Sequence, residues 1–420
     1  MNNYQHSVLL DLSKCTGCTT CLKHCPTEAI RIENGHAVIN DTRCIDCGEC
    51  IRNCPHQAKK AVSSKFEEMD RFKYKIALPA PTLYGQFENL DDIDYVLDGL
   101  LKIGFDDVFE VSKAAELVSA YTRLYLKTDG ITRPVISSAC PVIVRLIELR
   151  YPSLNSNIIH MLPPMEVAAN LAREKAKNEH PELKDEDIGV CFITPCPAKV
   201  SYVKNGFADY ESKVDVVVSI SDIYFKLIDE MKYGSDIKSL CETGIIGLSW
   251  ASSGGEATAI FSEKYLAADG IENVMRVLDQ VENGNISQLE FIELNACPGG
   301  CVGGVLTVQN PFIAKARLRS LRRGLPVSRN TLDKNESQYI PDSYLFNELP
   351  KYAPIARLSD NLAESMRMMA DIRNLRNSLP GIDCGACGAP SCRAFAEDVI
   401  RGRADISSCV IKGVKDNDSK

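Results

Sequence analysis

Apolar positions along this chain change their period several times, and each change marks an element. Short Val- and Ile-rich runs at 74–78, 133–137, 187–193 and 215–219 have the pattern of buried strands. Between them the period lengthens. Over 165–177, Val167, Ala168 and Leu171 fall on one side and charges on the other, which predicts an amphipathic helix. Strand and helix in alternation predict an α/β fold with largely parallel sheet, in which sites gather where strands end and loops converge.

The two ends read differently. Near the start, 7–10 and 36–39 alternate over short lengths and predict small strands. Toward the far end, 357–379 carries Leu, Met and Ile at helical spacing, and 394–400 predicts a further short helix. The segment 330–353 is polar and interrupted by proline, and is expected to run over the surface as a linker. Lys315, Arg317, Arg319, Arg322 and Arg323 fall on a helical pattern. A solvated face is the expected reading, and a dock for an acidic partner the alternative.

At 420 residues and 45% hydrophobic, the chain can bury a large core spread over two or three domains. Its formal charge of -8 argues against nucleic acid or an anionic membrane as the main partner, and leaves a small basic redox partner open. No run of eighteen apolar residues occurs, and the first residues lack the basic and apolar regions of a signal peptide, so a cytoplasmic location is expected. A reducing cytosol does not sustain disulfides, so the eighteen cysteines are better read as metal ligands.

The cysteines are ordered. Cys15-x2-Cys18-x2-Cys21-x3-Cys25-Pro26 recurs 29 residues later as Cys44-x2-Cys47-x2-Cys50-x3-Cys54-Pro55. In such runs three thiolates wrap one cubane and the fourth reaches the other. Cys15, Cys18, Cys21 and Cys54 are therefore expected to hold one [4Fe-4S] cluster, and Cys25, Cys44, Cys47 and Cys50 a second. A pair of zinc sites is the alternative. Eight cysteines, two cysteine–proline ends and no interposed histidine favour iron. Residues 1 to about 60 resemble the bacterial two-cluster ferredoxins. At the other end, Cys384-x2-Cys387-x4-Cys392-x16-Cys409 offers four more thiolates among Gly385, Gly388 and Pro390. This resembles the small FeS domain of electron-transfer complex subunits and corrinoid proteins, with zinc again the alternative.

Cysteines also follow the predicted strands of the middle region. Ser137-Ser138-Ala139-Cys140-Pro141, Thr194-Pro195-Cys196-Pro197-Ala198-Lys199 and Asn295-Ala296-Cys297-Pro298-Gly299-Gly300-Cys301-Val302-Gly303-Gly304 match, in order, the three signatures of the [FeFe]-hydrogenase catalytic domain. The resemblance covers most of 75–325, including Val108-Phe109-Glu110 and the glycine-rich stretch 247–257. It implies that Cys140, Cys196, Cys297 and Cys301 hold a further [4Fe-4S] cluster, with Cys301 bridging to a two-iron unit that carries CO, cyanide and an azadithiolate. Together these form an H-cluster. Lys199 matches the lysine that anchors a cyanide ligand, and a surface charge is the plainer alternative. Cys191 and Cys241 are left over and expected as small buried apolar residues. His24 and His160 are expected as structural or surface residues.

The departures bear on rate. The first signature of fast hydrogenases has a cysteine, which relays protons, where this chain has Ala139, and alanine has nothing to titrate. Tyr202 stands at the usual glutamate of the second signature, Thr194 and Asn295 replace methionines, and the carboxylates expected after Ala114-Ala115-Glu116 are replaced, with Tyr121 and Thr122 nearby. Losing one positioned acid–base group typically removes about 10²- to 10⁴-fold in rate. Two ferredoxin clusters, an altered H-cluster domain and a terminal cluster motif resemble the group D sensory hydrogenases. The resemblance implies slow H2 activation serving H2 or redox sensing, with H2, protons, a redox or signalling protein and the H-cluster maturation proteins as partners. The alternative is a hydrogenase-like iron–sulfur protein without the two-iron unit, either an assembly factor or an electron-transfer subunit. The expected divisions are 1–65 for the ferredoxin-like domain, 70–325 for the H-cluster domain, 326–378 for linker and helix, and 379–420 for the terminal FeS domain.

Overall fold

A computed structural model of the chain describes residues 5–206, 210–231, 237, 239–333, 335–336, 339–346, 348 and 358–412. It divides into two compact units, one of Met1–Ala61 with Tyr352–Lys420 and one of Val62–Lys351.

In the first unit the 29-residue sequence repeat is also a repeat of backbone conformation. The helical turns Thr20–Lys23 and Glu49–Arg52 each start from a left-handed residue, Thr19 at φ 65° and Gly48 at φ 78°. Gly17 with Asp46, and Glu28 with Gln57, are left-handed at the same offset. These reversals let one short loop present three cysteines to one point. Four short strands, β1 (Val8–Leu10), β2 (Ile30–Glu33), β3 (His36–Ile39) and β4 (Lys59–Ala61), pair antiparallel as β1 with β4 and β2 with β3. They enclose a small core of Val8, Leu22, Ile30 and Ala37.

The terminal segment of this unit has its own core of Leu379, Ala389, Ala394, Phe395 and Ala396. The helix Leu362–Ser378 starts at Asn361, whose side-chain oxygen accepts from the Ala363 and Glu364 N–H groups, and Cys392–Ile400 starts at Ser391 in the same way. This segment docks on β2. The Ile32 N–H donates to the Gly388 carbonyl at 2.9 Å, and a Cβ on Gly388 would lie 2.4 Å from the Ile32 carbonyl oxygen, so only glycine permits the approach. Around it, Arg31 donates to Asp398 at 2.5 Å, Arg43 to Glu397 at 2.6 Å, and the Lys23 ammonium to the Asp383 carbonyl.

The second unit carries β5 (Tyr74–Pro79), β6 (Asp107–Val108), β7 (Val135–Ile136), β8 (Ile188–Thr194), β9 (Val216–Ser219), β10 (Tyr265–Asp269) and β11 (Phe291–Asn295). They form two sheets in the orders β6-β5-β8-β9 and β10-β11-β7, with every strand pair parallel. All residues of β8 and β9 are buried, as parallel strands covered on both faces require. The predicted helix appears as Pro164–Glu179, with Ala168, Ala169, Ala172 and Ala176 buried. The basic run lies largely on Pro311–Leu321, where Ala314, Leu318 and Leu321 pack inward.

The polar segment after residue 330 does not simply wrap the surface. Tyr344 and Phe346 are buried, and Leu345 makes an antiparallel bridge to Met161. Their apolar rings outweigh the polar average of the window. The rest of that segment, at 334, 337–338, 347 and 349–353, lies outside the described residues.

Candidate functional site

Four cavities collect sixteen of the cysteines. In the first unit, one of about 320 Å3 is lined by Cys15, Cys18, Cys21 and Cys54, and one of about 340 Å3 by Cys25, Cys44, Cys47 and Cys50. Each takes three cysteines from one repeat and the fourth from the other. Cys384, Cys387, Cys392 and Cys409 line a third, of about 350 Å3. Cys191 and Cys241 are buried in the core and line none of these cavities. Among the described residues, no three His, Cys, Asp or Glu side chains are drawn together tightly enough to grip a single metal ion.

The fourth cavity, of about 910 Å3, lies in the second unit. Cys140, Cys196, Cys297 and Cys301 all line it, with Ala139 and Lys199. The fold delivers them by one device used three times, a parallel strand that ends and a loop that turns its cysteine inward. Cys140 follows β7 and opens the helix Pro141–Arg150, and Cys196 follows β8 and opens Pro197–Asn205. Proline in the first turn suits a helix start, and two positive helix ends facing one cavity favour thiolates and anions there. Cys297 and Cys301 follow β11. Their loop is packed against its neighbours so closely that a Cβ on Gly300 would lie 2.3 Å from the Ser253 nitrogen, and one on Gly304 2.2 Å from the Pro195 carbonyl oxygen. Gly304 thus lets the third signature sit on the second, and Gly300 lets it sit on the glycine-rich stretch 247–257.

Burial pushes the Cys196 thiol well above its usual range, and the neighbouring Cys297 and Cys140 add repulsion, which Lys199 opposes. Cys301 is raised for the same first reason and is again relieved by Lys199. Four cysteines lining one cavity, with Cys196 and Cys301 held from ionising by burial, are a donor set that cationic metal would convert to thiolate. Lys199 projects from Pro197–Asn205, its Nζ 5.4 Å from the centre of the Phe192 ring. It supplies a cation to a cavity with apolar walls at Ala80, Val111, Ala115 and Phe192.

Ala139 contributes a methyl group and no titratable atom. Its backbone N–H donates to the Ser137 hydroxyl at 3.1 Å, and that hydroxyl donates to the Glu256 carboxylate at 2.7–2.8 Å. Glu293 lines the same cavity and accepts from the Gly254 and Ala257 N–H groups and from the Asn295 side chain. Burial, reinforced by the charge of Glu293, holds the Glu256 carboxyl well above the usual range. Burial raises Glu293 too, but the hydrogen bonds it accepts oppose that rise and make it the better seat for negative charge of the two. Sequence reasoning missed Ser137, Glu256 and Glu293, although all three lie in or beside the quoted signatures. By contrast Tyr202, Tyr121 and Thr122 are buried outside the cavity, with Tyr121 packed on Tyr344 at 4.6 Å between ring centres.

The family profile described as "Iron only hydrogenase large subunit, C-terminal domain" matches residues 73–261 and 251–305, more than half of the chain. The chain belongs to the [FeFe]-hydrogenase family. Two further profiles flank this hydrogenase domain, a 4Fe-4S dicluster domain over 7–55 and an Fe-S cluster domain over 379–411, so the chain is an iron–sulfur protein throughout. Among characterised hydrogenases, it is 26% identical to the periplasmic [Fe] hydrogenase large subunit of Nitratidesulfovibrio vulgaris, over 76% of this chain and 90% of that one. It is 24% identical to iron hydrogenase 1 of Clostridium pasteurianum, over 71% of this chain and 64% of that one. The solved [FeFe]-hydrogenase HydA1 of Chlamydomonas reinhardtii shares the fold, with a TM-score of 0.50 at 16% identity, over 69% of this chain and 97% of that one. Among the described residues no helix is long and apolar enough to cross a membrane.

Proposed function

We propose that this hydrogenase-family chain reversibly binds and activates H2 at an H-cluster, slowly, and reports H2 or redox state through its [4Fe-4S] clusters, as group D sensory hydrogenases would. One observation carries the reading: Cys140, Cys196, Cys297 and Cys301 converge with Lys199 on the largest cysteine-lined cavity. Cys140, Cys196, Cys297 and Cys301 would hold a [4Fe-4S] cluster, and Cys301 would also bridge to a two-iron unit. When bound, that unit supplies the redox chemistry that splits or forms the H–H bond. The twelve other cavity-lining cysteines would hold three accessory [4Fe-4S] clusters in the sets in which the cavities group them.

The remaining chemistry belongs to the chain. Lys199 donates to an anionic acceptor that has no water to turn to, which suits cyanide on iron. Apolar walls keep bulk water from the reacting centre. Ala139 takes no proton, and the Ser137 hydroxyl that its N–H bonds leads on to Glu256, a titratable group in the cavity lining. A serine and a raised carboxyl pass protons less readily than a thiol beside the reacting centre, and slow turnover follows. The clusters would be assembled in the cytoplasm with H-cluster maturation proteins, and a redox or signalling protein would receive the electrons.

Iron content and isotope exchange test the reading. Four cubanes and a two-iron unit amount to about 18 iron atoms per matured chain. Matured protein should reach that content and catalyse slow but measurable H2/D2 exchange. Saturation near ten irons, or no exchange at full loading, contradicts it.

A further inference from the structure

The internal repeat is broken at one buried position. Ile30 and Lys59 are equivalent in the 29-residue repeat, each five residues past the last cysteine of its run. Both are buried, at 2% and 3% exposure. Ile30 lines the cavity of Cys25, Cys44, Cys47 and Cys50, and Lys59 lines that of Cys15, Cys18, Cys21 and Cys54. One cavity thus has an isoleucine in its lining where the other has a lysine. The Lys59 Nζ is sealed from solvent and has no hydrogen-bond partner among the described residues. An unpartnered buried cation is strongly destabilising unless an anion faces it. A cubane with four thiolates is such an anion, with sulfur atoms that accept N–H donors.

We propose that Lys59 is a potential-setting residue: it raises the reduction potential of the cluster held by Cys15, Cys18, Cys21 and Cys54 above that of the cluster held by Cys25, Cys44, Cys47 and Cys50. The proposal rests on the ligand sets given above. Reduction adds one electron and no proton to the cluster, so its negative charge grows by one. A fixed cation beside it stabilises the reduced form more than the oxidised one, and an N–H donor to sulfur acts in the same direction. Ile30 offers neither. Lys59 borders only one of the two cavities.

The cavity of the favoured cluster also borders the terminal iron–sulfur segment. Ile32 lines the cavity of Cys15, Cys18, Cys21 and Cys54, and its N–H is bonded to the Gly388 carbonyl. Lys23, two residues after Cys21, donates to the carbonyl of Asp383, which precedes Cys384. A Cβ on Gly385 would touch Leu22 at 3.5 Å.

The test is a potentiometric titration of the full chain with a low-potential chemical reductant, each accessory cluster being followed by electron paramagnetic resonance. Lys59→Met should shift the one-electron equilibrium of one cluster at least tenfold toward the oxidised form, about 59 mV, with the other clusters little changed. Lys59→Arg should keep the original midpoint. Ile30→Lys should raise a different cluster by a comparable factor, and it decides the matter if Lys59→Met loses its cluster. Unchanged midpoints in both Lys59→Met and Ile30→Lys, at full iron content, overturn the proposal and leave the ligand sets standing. If instead the unsubstituted chain before maturation falls well short of about 16 iron atoms, the ligand sets themselves are wrong.

Discussion

The hydroxyl of Ser137 donates to the carboxylate of Glu256, 119 residues away in sequence, at 2.7 Å on the wall of the cavity that Cys140 and Cys301 share. Ala139, the residue next to Cys140, has no proton to give. The Ser137–Glu256 pair is therefore a route the chain offers for moving a proton to or from the cavity. Glu256→Gln keeps the shape and the hydrogen bond but removes the acid. H2 turnover should fall by about 10²- to 10⁴-fold, the usual worth of one acid–base group. The infrared bands of the cavity's metal unit should not change. Undiminished turnover at equal loading would remove Glu256 from the path.

Ala139→Cys supplies a thiol beside Cys140. A relay needs each later member as well, and neither Tyr202 nor Tyr121 lines the cavity to provide one. Turnover should rise by less than about tenfold, well short of the full worth of one acid–base group. A rate equal to that of fast family members would show that the missing thiol was the whole defect.

The terminal segment is held to the ferredoxin-like segment by buried charge. Arg43 and Glu397 are 8% and 11% exposed, and Arg401 shares the Glu397 carboxylate at 2.9 Å. Glu397→Ala leaves two guanidinium groups without this partner, and breaking a buried pair costs about 3–5 kcal/mol. Limited proteolysis should then cut within 379–412 much faster, with cluster absorbance lost from that segment first. An unchanged cleavage rate would mean that Gly388 and Ile32 hold the contact without the ion pairs.

Glu110 gives a pH dependence with a definite sign. Burial pushes its carboxyl up to about 7, against the Tyr84 hydroxyl and the Glu242 N–H, which donate to it at 3.0 and 2.6 Å. A carboxyl whose pKa is higher in the folded state than in the unfolded chain binds its proton more tightly when folded. Its contribution is present in full below the unfolded value near 4.5 and is lost as pH rises through 7, by about 3 kcal/mol at most. Glu110→Gln stays neutral throughout, so its unfolding free energy should be flatter between pH 5 and about 7.5 than that of the parent. Parallel curves for the two proteins would contradict the shift.

Much of this arrangement was legible in the chain itself. The repeat of Cys15–Cys25 at Cys44–Cys54 reappears as a repeat of left-handed residues, because three thiolates on a short loop leave the backbone few routes. Strand-then-cysteine patterns located the large cavity, since parallel strands deliver their loops to one edge. What escaped depends on tertiary burial. Lys59 reads as one more charged residue until the fold buries it. Glu397 and Asp398 read as the polar side of a short helix, yet their partners Arg43 and Arg31 lie more than 350 residues away. Glu256 and Glu293 sit 37 positions apart, and only the fold makes them a pair.

The most direct test of the H2-activating reading is infrared spectroscopy of anaerobically matured protein, beside the same preparation of Cys301→Ser. The parent should show sharp CO and cyanide bands. The variant should lose them while its accessory clusters remain, because a serine oxygen is a harder and poorer bridge between irons than a thiolate. A fully matured parent without those bands would contradict the account and leave a hydrogenase-like protein of cubanes alone.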